Sequence, residues 1–295
     1  MFTTTATVSE MTNTQRKTQR IQELLLRIER EQNVRIVYAC ESGSRAWGFA
    51  SEDSDWDVRF LYIRNPEWYM RAFAMRNMSQ TTVDGTYPDT ITYQVPEEVL
   101  DAHGWDMTKT VSLLNKSNAA LFEWMFSPIV YRQNVLFLEY RNFVTSELWN
   151  PVASFFHYRS TASRSLKEWL MKPTVAYKRY LYAIRPLMCA SYVAQFRHLP
   201  PVNIHTLMEE LEAVKPMIVP PAMLEYARAI IADKQSGHET MTGPAIPELN
   251  DIITRILMTP LAELTAGDPI ILPEKELDRF ERVLNFIQFM SEDRS

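Results

Sequence analysis

The chain has 295 residues, of which 46% are hydrophobic and 23% charged, and its formal net charge is −5. This composition predicts a folded globular protein of one large or two medium domains. The acidic balance disfavours a broad nonspecific nucleic-acid surface, although it is compatible with a local basic groove. The sequence has no signal-peptide pattern and no apolar run near the roughly 20 residues that span a bilayer. Its two cysteines are too few for a disulfide framework, so we expect a cytoplasmic protein.

The N-terminal segment predicts a tail, a helix and a strand. Residues 1–14 are rich in threonine and have no periodic apolar face, so we expect a mobile tail there. Apolar residues at helical spacing predict an amphipathic helix over 15–32. The β-branched and aromatic run over 34–39 predicts a buried strand.

Two carboxylates stand at the start of the next predicted strand. Residues 55–63 alternate between two faces, which places Asp55, Asp57 and Arg59 on the same face. Side chains two residues apart on a strand lie about 6–7 Å apart. This separation suits oxygens that converge on divalent cations, which sit about 3.5–4 Å apart in two-metal sites. Carboxylate ligands favour Mg²⁺ or Mn²⁺ over zinc. The alternative is a solvated acidic pair without metal, which is the commoner meaning of this spacing on its own.

A Gly43-Ser44 turn precedes the carboxylates and follows the first strand. Glycine lets the backbone approach a phosphate closely, and amides at the start of a helix attract anions. When the dipeptide is considered alone, a turn without a ligand is by far its commoner meaning. Together with the acidic pair, however, it supplies the two parts that nucleotidyl transfer requires, a phosphate cradle and a metal site.

The rest of the chain predicts further strands and then mainly helices. Residues 90–101 predict one or two strands interrupted by Pro96, and Asp106 is well suited to cap a following helix. Helices are predicted over about 160–170, 175–197, 204–213, 221–233, 248–257 and 275–291. We therefore expect an α/β (α+β) fold. A small mixed-sheet domain over 15–145, with helices on one side of its sheet, precedes an all-helical domain over 146–295.

The chain also resembles a known group of proteins. One motif resembles the polymerase-beta-type nucleotidyltransferase superfamily. It consists, in this order, of a hydrophobic strand, Gly-Ser, ten residues, Asp-x-Asp and a second hydrophobic strand. Wider stretches are similar to predicted nucleotidyltransferases of the YcgL type, in a polymerase-beta-like branch associated with RNA repair. The stretches are ESGSRAWGF, SDWDVRFLYI, KSNAALFEWMFSPIVY and KRYLYAIRPL. The resemblance covers roughly residues 20 to 290.

The resemblance implies a third carboxylate on a later strand beside the first two. We choose Asp101, because it ends the predicted strand 90–101 and lies eight residues before Lys109. Asp106 is the competitor, but its position at the start of a helix is better explained as a cap. Asp55, Asp57 and Asp101 are therefore the expected catalytic and metal-binding residues.

Other candidates come with simpler explanations of equal or greater weight. Arg45 could contact a triphosphate, or be a surface residue on a short helix. Lys116 and Asn118 could line a nucleotide cleft, or form a turn between helices. Lys178 and Arg179 lie in a basic stretch with interleaved aromatic residues that suits an RNA acceptor, although its helical spacing is also typical of a core helix.

The expected function is two-metal nucleotidyl transfer, in which an NMP moves from an NTP to an acceptor hydroxyl with release of pyrophosphate. An RNA end is the favoured acceptor; a protein or small-molecule hydroxyl is the alternative. A different class of function is a nucleotide-binding regulator or antitoxin-like partner without turnover. The expected partners are thus an NTP, Mg²⁺ or Mn²⁺ and RNA, without a membrane, and the oligomeric state is left open.

Overall fold

The computed structural model describes residues 12–77, 89–214, 219–237 and 241–260. Its helices are α1 (Asn13–Gln32), α2 (Gly43–Trp47), α3 (Pro66–Asn77), α4 (Met107–Asn115), α5 (Ala119–Met125), α6 (Val135–Glu147), α7 (Pro151–Ser165), α8 (Lys178–Phe196), α9 (Ile204–Ala213), α10 (Pro221–Gln235) and α11 (Pro247–Met258). Its strands are β1 (Arg35–Glu41), β2 (Trp56–Ile63), β3 (Thr90–Val95), β4 (Leu100–Asp106), β5 (Val130–Gln133), β6 (Thr174–Ala176) and β7 (Thr242–Pro244). A 3-10 turn (Pro96–Glu98) and a π-helical turn (Leu166–Leu170) complete the elements.

A five-stranded mixed sheet forms the first part of the molecule, in the order β3-β4-β2-β1-β5. Strands β2 and β4 are parallel, and the other neighbouring pairs are antiparallel. The parallel pairing places Asp57 directly opposite Asp101. The predicted strand 90–101 is two strands, because Pro96 begins the 3-10 turn between them. Asp101 therefore lies near the beginning of β4, and the prediction that it ends a strand is wrong.

Helices cover both faces of this sheet, so the expectation of helices on one side is wrong. The period-two pattern of β2 sends Val58, Phe60 and Tyr62 towards the apolar stripe of α1. Leu61 and Ile63 point to the opposite face, where they pack with side chains of α4, α5 and α6. Helix α1 begins at Asn13 behind a capping box formed by Thr12 and Gln15. The end of the predicted mobile tail is thus helical, and residues 1–11 lie outside the described residues.

The second part is a helical core built around α8, whose side chains are buried along most of its length. Helices α7, α9, α10 and α11 surround it. The predicted helices from 160 to 257 correspond to α7 with the π-helical turn, α8, α9, α10 and α11, whereas the predicted helix 275–291 lies outside the described residues. Strands β6 and β7 add a small two-stranded ribbon to this helical part.

The packing changes between α6 and α7. Helix α6 contributes to the core on the sheet, while α7 contributes to the helical core. Phe49, which follows α2, is fully buried in the helical core and ties the two parts together. The division at residue 145 stays a prediction. Within the described ranges, no helix is long and apolar enough to cross a bilayer.

Candidate active site

The turn after β1 lies directly against the carboxylate of Asp57. Gly43 begins α2 with a φ of +60°, a conformation that favours glycine. A Cβ atom added to Gly43 would lie 2.1 Å from Oδ2 of Asp57, which is far inside contact distance. The backbone amide of Ser42 also donates to the carbonyl of Asp57. The Gly43-Ser44 turn and the acidic strand therefore form one compact unit, with Ser44 buried in the first turn of α2.

Arg59 links the two facing carboxylates of the sheet. Its Nη2 donates to Oδ1 of Asp57 at 2.8 Å, and its Nη1 donates to Oδ2 of Asp101 at 2.9 Å. All three side chains are partly buried. Burial raises the pKa of Asp57, Arg59 lowers it, and the negative charges of Asp101 and Asp55 raise it further. The site thus concentrates negative charge, part of which the guanidinium of Arg59 balances.

Asp55 is exposed and lies just before β2 rather than within it. Its position is set through its backbone, because Nε of Arg45 donates to its carbonyl at 3.1 Å. Arg45 also donates to the carbonyl of Ser54 at 2.6 Å, and its guanidinium lies 3.9 Å from the ring centroid of Trp56. Arg45 therefore holds the loop before β2, and its predicted contact with a triphosphate stays a prediction.

A further carboxylate, Glu41, lies behind Asp57 at the end of β1 and is completely buried. Its Oε1 accepts a hydrogen bond from the backbone amide of Asp57 at 2.7 Å, and its Oε2 accepts one from the hydroxyl of Tyr131. Burial raises the pKa of Glu41 to about 7. Sequence reasoning missed this residue, although an acidic side chain that ends a buried strand two residues before Gly43 was the signal.

The chemistry of these side chains suits a divalent cation. Oxygen donors from several carboxylates, partly shielded from water and crowded by their own charge, are the ligands that Mg²⁺ and Mn²⁺ prefer. Among the described residues, no group of three or more histidine, cysteine, aspartate or glutamate side chains is arranged as a metal site. Arg59 bonds to one oxygen of Asp57 and to one oxygen of Asp101. A carboxylate has two acceptor oxygens, so Oδ2 of Asp57 and Oδ1 of Asp101 are the atoms of this pair that could hold a cation while Arg59 stays in place.

The structure explains two other candidates as helix caps. Asp106 is completely buried at the start of α4, where it accepts hydrogen bonds from the backbone and hydroxyl of Thr108 and from Tyr69. These bonds confirm its predicted capping role. Asn118 caps α5 by accepting from the backbone of Leu121 at 3.1 Å. Lys116 is exposed in the same turn, so these residues form the helix-connecting turn that was the simpler explanation.

The basic and aromatic stretch divides into a buried and a partly exposed set. Tyr180 and Arg185 are buried, and Arg185 pairs with Glu123 at 2.8 Å. Lys178 and Arg179 lie in the first turn of α8 and are partly exposed. The guanidinium of Arg179 lies 4.1 Å from the ring centroid of Trp169 and 5.7 Å from that of Tyr182. A cationic group on aromatic rings is thus present at the predicted acceptor-binding position.

Comparison with known proteins identifies the family. A family model described as "RlaP: RNA repair pathway DNA polymerase beta family" matches residues 18–282. The chain belongs to this family. It is 33% identical over 258 residues to the "Uncharacterized protein YcgL" of Bacillus subtilis (strain 168), which covers 88% of this chain and 90% of that protein. It also matches a solved nucleotidyltransferase-like protein from Exiguobacterium sibiricum 255-15, with 13% identity and a TM-score of 0.27 over 94% of this chain and 81% of the other. Membership in the polymerase-beta family supports a nucleotidyltransferase as the type of protein.

Proposed function

We propose that this protein transfers an NMP from an NTP to an acceptor hydroxyl, with a divalent cation bound by Asp55, Asp57 and Asp101. The observation that carries the proposal is the pairing of Asp57 with Asp101 across β2 and β4, with the backbone of Gly43 packed against Asp57. Two carboxylates and a glycine turn therefore lie side by side, which supports a metal site beside a phosphate-binding turn. Membership in the polymerase-beta family supports the same reaction.

In the proposed reaction the acceptor oxygen bonds to the α-phosphorus, and the bond from that phosphorus to the oxygen that bridges the α- and β-phosphates breaks. Pyrophosphate leaves, and the hydroxyl proton passes to a carboxylate, for which we assign Asp101. Mg²⁺ or Mn²⁺ would supply charge neutralisation and activation of the hydroxyl. The amides of Gly43 and Ser44 would hold the outer phosphates, next to Arg45.

Arg59 has a defined part in this proposal. Its guanidinium pairs with Asp57 and with Asp101 and balances one of their two negative charges. Oδ2 of Asp57 and Oδ1 of Asp101, which Arg59 does not contact, would be the oxygens that hold a divalent cation. Arg59 also contacts the carbonyl oxygen of Asp101 at 3.3 Å and so keeps β2 and β4 together at the site.

We propose an RNA end as the acceptor and the cytoplasm as the compartment. The RNA-repair description of the family favours this acceptor, and Arg179 on its aromatic partners is suited to contact a nucleic-acid strand together with Lys178. Lys116 is retained as a contact for the nucleotide because it is exposed. Asn118, which caps α5, would act on the same contact indirectly by fixing the turn in which Lys116 lies.

The test supplies each α-labelled NTP with Mg²⁺ or Mn²⁺ and total cellular RNA. The unchanged protein is compared with an Asp55→Asn/Asp57→Asn variant and with a matched Glu52→Gln/Asp53→Asn control. The control removes two exposed acidic charges from the same loop. We expect label in RNA with the unchanged protein and the control, and none with the first variant. Equal transfer by all three would contradict the assigned site, and pyrophosphate release with a protein or metabolite pool alone would change the acceptor.

One observation favours a second candidate, a nucleotide-binding regulator or antitoxin-like partner without turnover. Arg59 bridges the two facing carboxylates and balances one of their two negative charges without a metal. NTP binding without pyrophosphate release under any of the conditions above would favour this candidate.

A further inference from the structure

A lysine from the helical part reaches the loop that carries Asp55. Lys234 lies on α10 and is only 4% exposed. Its Nζ donates to the hydroxyl of Ser54 at 3.0 Å and lies 5.5 Å from the ring centroid of Phe49. Residues 54 and 234 are 180 positions apart along the chain. This contact therefore joins the helical core to the residue immediately before Asp55.

The loop itself is internally ordered by two serines. Ser51 and Ser54 are both buried, and their hydroxyl oxygens lie 2.9 Å apart. The backbone amide of Ser51 donates to Oγ of Ser54 at 3.0 Å, and the amide of Ser54 donates to the carbonyl of Ser51 at 3.2 Å. The hydroxyl of Ser54 is thus the point at which the loop is closed on itself and joined to Lys234.

The charge of Lys234 is withdrawn from water at this position. Removing an ammonium from water is unfavourable, and an uncharged side chain of similar length would pack on Phe49 without that loss. Arg45 holds the same loop through the carbonyls of Ser54 and Asp55. Two cations therefore contact residues 54 and 55, Lys234 through the hydroxyl of Ser54 and Arg45 through backbone carbonyls, at the exposed carboxylate of Asp55.

We propose that Lys234 is a positioning residue for the metal site, which holds residues 51–55 so that Asp55 stands beside Asp57 when a divalent cation binds. The inference rests on the proposed function, because it assigns Asp55 to the metal. It adds that the helical part contributes to the metal affinity of the sheet through Ser54. Partners that hydrogen-bond directly to a metal ligand typically change affinity by about 10–100-fold when they are removed, and Lys234, which acts through Ser54, is expected at the lower end of that range.

The experiment measures Mn²⁺ binding by electron paramagnetic resonance and amide hydrogen exchange of residues 50–56 in the full chain. The variants are Lys234→Met, Lys234→Arg and a control, Lys172→Met, which removes an exposed lysine. For Lys234→Met we expect Mn²⁺ affinity to fall by about tenfold or more and exchange of the loop to accelerate, while β1 exchanges as before. Lys234→Arg keeps the charge and should recover part of the affinity, and Lys172→Met should match the unchanged protein.

Faster loop exchange with unchanged Mn²⁺ affinity would reduce Lys234 to a structural contact and overturn the inference alone. Unchanged loop exchange together with unchanged Mn²⁺ affinity would also overturn the inference alone. If the unchanged protein binds no more Mn²⁺ than Asp57→Asn does, the proposed function and the inference fail together. If Lys234→Met does not fold, Ser54→Ala takes its place, because it removes only the hydroxyl that Lys234 contacts. We expect lower Mn²⁺ affinity and faster exchange of the loop for this variant as well.

Discussion

Replacing Gly43 by alanine separates the cost to stability from the cost to the site. A residue other than glycine at φ +60° is strained by about 1–2 kcal/mol. The new Cβ would also lie 2.1 Å from Oδ2 of Asp57, whereas ordinary contact begins at 3.4 Å, so the carboxylate has to move by more than 1 Å. A misplacement of about 1 Å in a reacting geometry is enough for a 100-fold loss of rate. We therefore expect Gly43→Ala to unfold at slightly lower urea concentration and to lose at least about 100-fold in transfer.

Gly237 provides the matched control for this substitution. Its φ is +94°, and a Cβ there would have no neighbour within 4 Å in the described part of the chain. Gly237→Ala should cost a similar amount of stability without affecting transfer. Urea unfolding and the labelled-NTP assay are run on both variants. Comparable transfer by the two variants would refute the conclusion that the close approach of Gly43 positions Asp57.

Three further predictions concern stability, pH and the acceptor. The pKa of Glu41 is raised from 4.5 to about 7 in the folded protein. Between these two pH values the folded protein keeps a proton on Glu41 that the unfolded chain has lost. The free energy of unfolding should therefore fall by roughly 3 kcal/mol as pH rises across this window. Glu41→Gln should remove that part of the pH dependence in urea titrations, and an unchanged pH profile would contradict the assignment. Arg185→Met should lower the free energy of unfolding by about 3–5 kcal/mol, because it leaves Glu123 without its buried partner. The double variant Arg185→Met/Glu123→Gln should recover much of this loss. If the losses of the two single variants simply add in the double variant, the pairing is refuted. Lys178→Ala/Arg179→Ala should weaken binding to single-stranded RNA, measured by fluorescence anisotropy. Because two phosphate contacts are lost, the slope of log affinity against log salt should also decrease in magnitude by about 1.4. An unchanged slope would show that these residues do not contact the RNA.

Local patterns in the sequence predicted the elements that carry the site. Alternation from residue 55 to 63 predicted β2 and the shared face of Asp57 and Arg59, and the cap at Asp106 followed from its place before a helix. Strand β4 was obscured because Gly104 interrupts its side-chain pattern. The structure shows why glycine is there, since a Cβ would lie 2.1 Å from the ring of Phe60 on β2.

The contacts that complete the site could not be predicted in the same way. Arg59 reaches Asp101 only because β2 and β4 are parallel and in register. Lys234 reaches Ser54 across 180 residues of chain. Neither contact leaves a periodic signal in the sequence, because each depends on how distant elements pack.

The position of the transferred label tests the central claim most directly. The unchanged protein is given the same NTP labelled either at the α- or at the γ-phosphate, with Mg²⁺ and total cellular RNA, and the products are separated into RNA and pyrophosphate. We expect α-label in RNA and γ-label in pyrophosphate, both abolished by Asp55→Asn/Asp57→Asn. Label from the γ-phosphate in the acceptor would mean phosphoryl rather than nucleotidyl transfer, and would contradict the proposed reaction.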